Sequence, residues 1–177
     1  MLEYGEIGRF LPHRHPMLLV DRVLSYTAGE RITTVKAISG AEPCYAGVPP
    51  DAPPEAFGYP ETLLIESFAQ SGALLWLMTA HDRGERLGGV GMVAVLRECA
   101  FGRRAWPGDL VRHEVRLERM IGDNVVFSGE IRTPAGPVAT VDSIIAAFRP
   151  GEALAASDNV AETMTPRSDH VVAQPLQ

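Results

Sequence analysis

Two kinds of hydrophobic pattern divide this chain. Short runs with a two-residue alternation recur at both ends, and one long run that is apolar nearly all round sits between them. Leu18 to Leu24 (LLVDRVL) and Arg31 to Ile38 (RITTVKAI) predict two strands joined by the turn Thr27-Ala28-Gly29-Glu30. In the second, Ile32, Thr34, Lys36 and Ile38 alternate with Thr33, Val35 and Ala37, so either parity could face inward. Further strands are predicted at Gly89–Leu96, Glu98–Arg103, Asp109–Met120, Asn124–Thr133 and Val138–Phe148. Turn signals punctuate them at Trp106-Pro107-Gly108-Asp109, Ile121-Gly122-Asp123-Asn124 and Pro134-Ala135-Gly136-Pro137.

The long run, Leu63 to Met78 (LLIESFAQSGALLWLM), predicts a helix over about residues 59–80. Pro60 suits a first helical position and Glu61 the first turn. A helix without a polar face is buried on most sides, and Ala69, Ser71, Gly72 and Ala73 let something pack closely against its middle. Set early in a long antiparallel meander, it implies an α+β fold with a strongly curved antiparallel sheet wrapped around a central helix. Residues 1–150 read as one domain. The tail 151–177 lacks aromatics and periodicity and is expected to be disordered.

Composition narrows the class. With 177 residues the chain is long enough for a real core, and 46% hydrophobic against 21% charged residues is ordinary for a soluble domain. A net charge of −6 argues against nucleic acid as the principal partner. Arginines still cluster locally (Arg97, Arg103, Arg104, Arg112, Arg116, Arg119), enough for an anionic ligand or for a solvated strand edge. Cys44 and Cys99 lack metal-ligand spacing and are expected as free thiols, with no metal site. The N-terminus has no apolar signal core, and the central helix is interrupted by polar residues. A soluble cytoplasmic protein without a membrane span is the expectation.

Glu66 is the only charged residue between Leu63 and Met78. A carboxylate in such a run is costly to bury unless it has a partner or a task. The loop ahead of it, GVPPDAPPEAFGYPET from Gly47 to Thr62, carries Pro49, Pro50, Pro53 and Pro54 in quick succession.

Three segments carry a resemblance: LPHRHPMLLVDRV (Leu11–Val23), LLIESFAQ (Leu63–Gln70) and ECAFGRRAWPGDLV (Glu98–Val111). In order and approximate spacing they resemble the hotdog-fold 3-hydroxyacyl-acyl-carrier-protein dehydratases, from about Ile7 to Phe148. The resemblance implies protomers paired through their sheets, with each active site at the dimer interface. It implies a substrate carried on the phosphopantetheine of an acyl carrier protein and no separate cofactor. It also implies a reaction in which a histidine of a Gly-His-Phe-Pro-Gly segment takes the proton beside the thioester carbonyl. A helix carboxylate serves the departing hydroxyl, and an N–H at the helix start polarises the carbonyl.

Mapped onto this sequence, Glu66 falls on the helix carboxylate and Gln70 on its neighbour. Gly47-Val48-Pro49-Pro50-Asp51 stands in place of the histidine segment, so Val48 replaces the base. Pro60-Glu61 replaces a Pro-Gly pair, leaving the Glu61 N–H with a carboxylate beside the expected thioester position. Glu61, Gln70, Val48 and Gly47 are therefore the expected substrate-binding positions. Of the five histidines, His13 and His15 belong to a segment that is structural by the resemblance. His81 ends the helix and His170 lies in the tail. His113 shares the parity of Val111, Val115 and Leu117; it is either a core residue or, with Tyr59, an auxiliary of the site.

Three functions follow: dehydration in a specialised fatty-acid or polyketide-type pathway with Glu66 as the remaining acid/base; thioester hydrolysis using Glu66; or a non-catalytic subunit completing a heterodimer with a homologue. Acyl carrier protein is the expected partner, alongside a homodimer or a dimer with a homologous subunit.

Overall fold

A computed structural model describes residues 1–85, 90–121 and 124–149. The elements follow in the order β1 (Leu2–Glu3), α1 (Tyr4–Ile7), β2 (Arg22–Thr27), β3 (Arg31–Ala37), α2 (Glu61–Asp82), β4 (Val90–Phe101), β5 (Leu110–Ile121), β6 (Asn124–Thr133) and β7 (Gly136–Arg149). The strands form a single antiparallel sheet in the order β1-β2-β3-β5-β6-β7-β4. The predicted tail 151–177, Gly89, and the turn residues Gly122 and Asp123 lie outside the described residues.

The apolar run is the buried helix expected of it. Leu64, Phe68, Leu74 and Leu75 of α2 are buried against Val115, Phe127, Ile131 and Ile144 of the sheet. Fully burying one such side chain contributes roughly 1.5–3 kcal/mol. α2 is also long and apolar enough to cross a membrane, but those properties serve burial within the fold.

The small residues at its middle have a partner in Phe127. A Cβ added to Gly72 would lie 2.8 Å from Phe127 Cδ2, so the glycine lets the ring pack flat against the helix backbone. Two residues along β6, Gly129 sits at a register shift with φ +152, where an added Cβ would meet Glu114 O at 1.9 Å. Only a residue without a side chain allows both that backbone and that approach.

Several boundaries differ from the sequence-based expectation. Leu18, Leu19 and Val20 are buried as predicted, but they are not strand. They cross α2 instead, and the Leu19 N–H donates to Gln70 Oε1 at 2.9 Å rather than to a neighbouring strand. Pairing with β3 begins where the Asp21 N–H donates to Val35 O. The break expected at Arg97 is absent, because Glu98 adopts φ +50 within a continuous β4. Pro60 precedes the helix instead of starting it: with ψ 131 it is extended, and its carbonyl accepts from the N–H groups of Leu63 and Leu64. Between β3 and α2 the chain makes two short 3-10 turns, Pro43–Tyr45 just before the Pro-rich loop and Pro54–Phe57 within it.

Candidate active site

Glu66 is not sealed in the core. Its side chain is 34% exposed and opens into a cavity of about 440 Å³ beneath the N-terminal segment. Small-molecule sites commonly span roughly 300–1,000 Å³. The cavity lies between the crossing segment Gly8–Arg14, the flank of α2 formed by Ala69, Ala73 and Trp76, and the edge strand at Met92 and Val93. Its walls are mostly apolar, and its polar lining is Glu66, His13, Gln70, Arg9 and Arg14.

Gln70 fixes the carboxylate. One helical turn after Glu66, the two side chains share a face of α2. The Leu19 N–H donates to Gln70 Oε1, which turns the amide nitrogen the other way. Nε2 then donates to Met17 O at 2.7 Å and to Glu66 Oε1 at 2.8 Å. Every polar atom of this buried amide is engaged, so Gln70 positions Glu66 and the N-terminal segment rather than binding substrate through a free group.

His13 is the residue the sequence assigned to structure and the fold brings to the carboxylate. Its Nε2 lies 3.5 Å from Glu66 Oε1, and its Nδ1 is buried without a hydrogen-bond partner. Arg14 holds the local backbone by donating from Nη1 to Leu11 O and His13 O at 2.8 and 2.7 Å. Fifty-three positions separate His13 from Glu66, and no periodicity links them. Gln70, beside Glu66, binds the segment that follows His13, an anchor that no local sequence pattern marks.

His113 faces inward, as its parity allowed, but away from this cavity. It is fully buried between α2 and the sheet. The Ser67 hydroxyl is directed at Leu64 O, so His113 Nε2–H donates to Ser67 Oγ at 2.8 Å and Nδ1 faces Thr34 Oγ1 at 3.2 Å. Thr34 Oγ1 in turn meets Ser71 Oγ at 2.7 Å. Burial pushes the His113 pKa from 6.5 down to about 3, with Lys36 adding to the effect, so the ring stays neutral. Of the two alternatives the sequence left, it is the core residue, and it does not line the Glu66 cavity.

The loop residues lie elsewhere too. Glu61 and Thr62 stand at the start of α2, and their N–H groups remain open while Pro60 O takes those of Leu63 and Leu64. This helix start lines a second cavity, shared with Tyr59, Arg103 and Arg104. Tyr59 is 3% exposed, its ring belongs to the hydrophobic core, and its hydroxyl has no hydrogen-bond partner. Lys36 Nζ lies 5.7 Å above that ring and is paired with Glu42 Oε1 at 2.7 Å. Val48 is half-buried, its N–H bonded to Tyr45 O, and Gly47 makes the turn with φ +86. Within one protomer neither Gly47, Val48, Tyr59 nor Glu61 lines the Glu66 cavity. Cys44 and Cys99 are free, and among the described residues no group of three or more His, Cys, Asp or Glu is placed to hold a metal ion.

A single antiparallel sheet curled about one long helix, with a carboxylate a turn and a half into that helix, defines a hotdog-fold protein. The chain belongs to the ApeP-like dehydratase family, whose model matches residues 5–158. It is 34% identical over 122 residues to the 3-hydroxyacyl-[acyl-carrier-protein] dehydratase FabZ of Staphylococcus carnosus, covering 69% of this chain and 79% of that protein. It is 33% identical over 146 residues to the FabZ of Oceanobacillus iheyensis, covering 82% of this chain and 93% of that one. Among solved structures, the dehydratase heterocomplex ApeI:P from Xenorhabdus doucetiae matches with a TM-score of 0.71 at 19% identity, over 86% of this chain and 97% of that one. A hot-dog-like protein from Thermanaerovibrio acidaminovorans matches with a TM-score of 0.55 at 21% identity, over 80% of this chain and 96% of that one.

Proposed function

We propose that the protein dehydrates 3-hydroxyacyl thioesters carried on the phosphopantetheine of an acyl carrier protein, in a specialised fatty-acid or polyketide-type pathway of the cytoplasm. The observation that carries this reading is Glu66, held by Gln70 in a cavity whose walls are mostly apolar. Apolar walls suit an acyl chain, and a positioned carboxyl group suits proton delivery to the 3-hydroxyl as water leaves. The FabZ relatives support the substrate class.

The working unit is a dimer, with itself or with a homologous subunit. Glu66 and the open N–H groups at Glu61 and Thr62 line separate cavities in one protomer, so a thioester that meets both needs a second chain. The edge strand β4 supports this. Its Met92, Val93, Val95 and Leu96 are 36–45% exposed, and the outer edge pairs with no strand among the described residues. Sheets rarely leave so apolar an edge open.

Val48 favours a second reading, a non-catalytic subunit that completes a competent homologue. The two separate under one assay. The protein alone, given 3-hydroxyacyl and trans-2-enoyl carrier-protein thioesters of short and medium chain, interconverts them if dehydration is its activity. Free acid identifies a thioesterase instead. Product formed only when a histidine-bearing homologue is added identifies the non-catalytic subunit.

A further inference from the structure

The geometry points to His13 as the second acid–base group of the site, supplied by the same protomer as Glu66 and taking the task that Val48 cannot perform. The inference rests on the dehydratase reading above.

Three observations place His13 there. Its Nε2 is 3.5 Å from Glu66 Oε1, an ion-pair distance longer than a direct hydrogen bond, which a small side-chain shift or one bridging water closes for proton exchange. Both residues line the same cavity, and both are about one-third exposed, so each is reachable from within it. The remaining histidines in the described residues do not compete. His113 is fully buried in its own hydrogen-bond network, His15 is exposed, and His81 packs edge-on against Phe10 near the end of α2.

The surroundings select a division of labour. Gln70 Nε2 donates to Glu66 Oε1, which leaves Oε2 as the oxygen able to carry a proton. In the forward reaction His13 Nε2 takes a proton from C2 of the 3-hydroxyacyl thioester. The electron pair of that C–H bond forms the C2–C3 double bond, and the C3–O bond breaks as Glu66 gives its proton to the departing hydroxyl. Water and the trans-2-enoyl thioester leave. The proton now on His13 returns to Glu66 Oε2 by way of a water in the cavity, so the pair ends with the one proton it began with.

The test compares His13→Gln, Glu66→Gln and His15→Asn in the full-length chain, with circular dichroism to establish that each variant folds. Rates of dehydration and exchange of the C2 hydrogen with D2O are measured on the same 3-hydroxyacyl carrier-protein thioesters across pH. The expected result is a 10²–10⁴-fold slower reaction in His13→Gln, with C2 exchange lost and one limb of the kcat/KM profile missing, while His15→Asn behaves as the parent. A His13→Gln variant that keeps its rate, or slows with an unchanged pH profile and intact C2 exchange, overturns the role of His13 and leaves the dehydratase reading standing. A parent protein that neither dehydrates nor exchanges C2 on its own overturns both.

Discussion

Gln70 Nε2 donates to Glu66 Oε1 at 2.8 Å while Gln70 Oε1 accepts the Leu19 N–H at 2.9 Å. One buried amide thus ties Glu66 to the N-terminal segment, a strap that crosses α2. Helix, strap and acid are set by the same side chain.

Gln70→Leu should therefore cost both stability and rate. The change removes three hydrogen bonds and leaves the Leu19 N–H unsatisfied beneath the strap. An orphaned buried donor alone costs about 1–3 kcal/mol. Urea unfolding should show a loss of at least that size, and the folded variant should turn over more slowly. Unchanged stability would contradict the anchoring role.

His113 sets an acid-side weakness. Its folded pKa of about 3 lies below the ordinary 6.5, so the unfolded chain binds the extra proton first as pH falls. The stability this neutral ring allows is complete above pH 6.5. Below that it declines by about 1.4 kcal/mol per unit, until the folded form also protonates near pH 3. Denaturation of His113→Gln between pH 7 and 4 should show a shallower decline than the parent. Parallel curves would mean the ring is charged in the fold.

The close contacts under α2 make a graded pair. In Gly129→Ala the new Cβ meets backbone, Glu114 O at 1.9 Å; in Gly72→Ala it meets the Phe127 ring at 2.8 Å. A ring can move and a paired strand cannot. Gly72→Ala should cost about 1–3 kcal/mol and Gly129→Ala more, read as a larger fall in Tm. The reverse order would place the rigid contact at the ring.

How much of this was legible in the sequence follows from how local each feature is. The central helix and β6 declare themselves through composition and turn residues within their own segments. The Leu18–Val20 run has the residues of a strand, but its backbone groups face a helix side chain rather than a neighbouring strand. No local pattern reveals that. Glu66 was legible because a lone charge stands out in an apolar run. His13 was not, because its place depends on a strap whose course is set by Gln70, and a histidine among exposed residues carries no signature of its destination. Val48 and Glu61 were read as departures from the dehydratase pattern, and the protomer places both away from the Glu66 cavity.

The most direct test of the account is the rate of interconversion of 3-hydroxyacyl and trans-2-enoyl carrier-protein thioesters by the parent and by Glu66→Gln. The amide is close in size to the carboxyl but carries no exchangeable acid proton of comparable strength. The account predicts a parent that interconverts the two and a folded variant slower by about 10²–10⁴-fold. A folded Glu66→Gln protein with the parent's rate would contradict it.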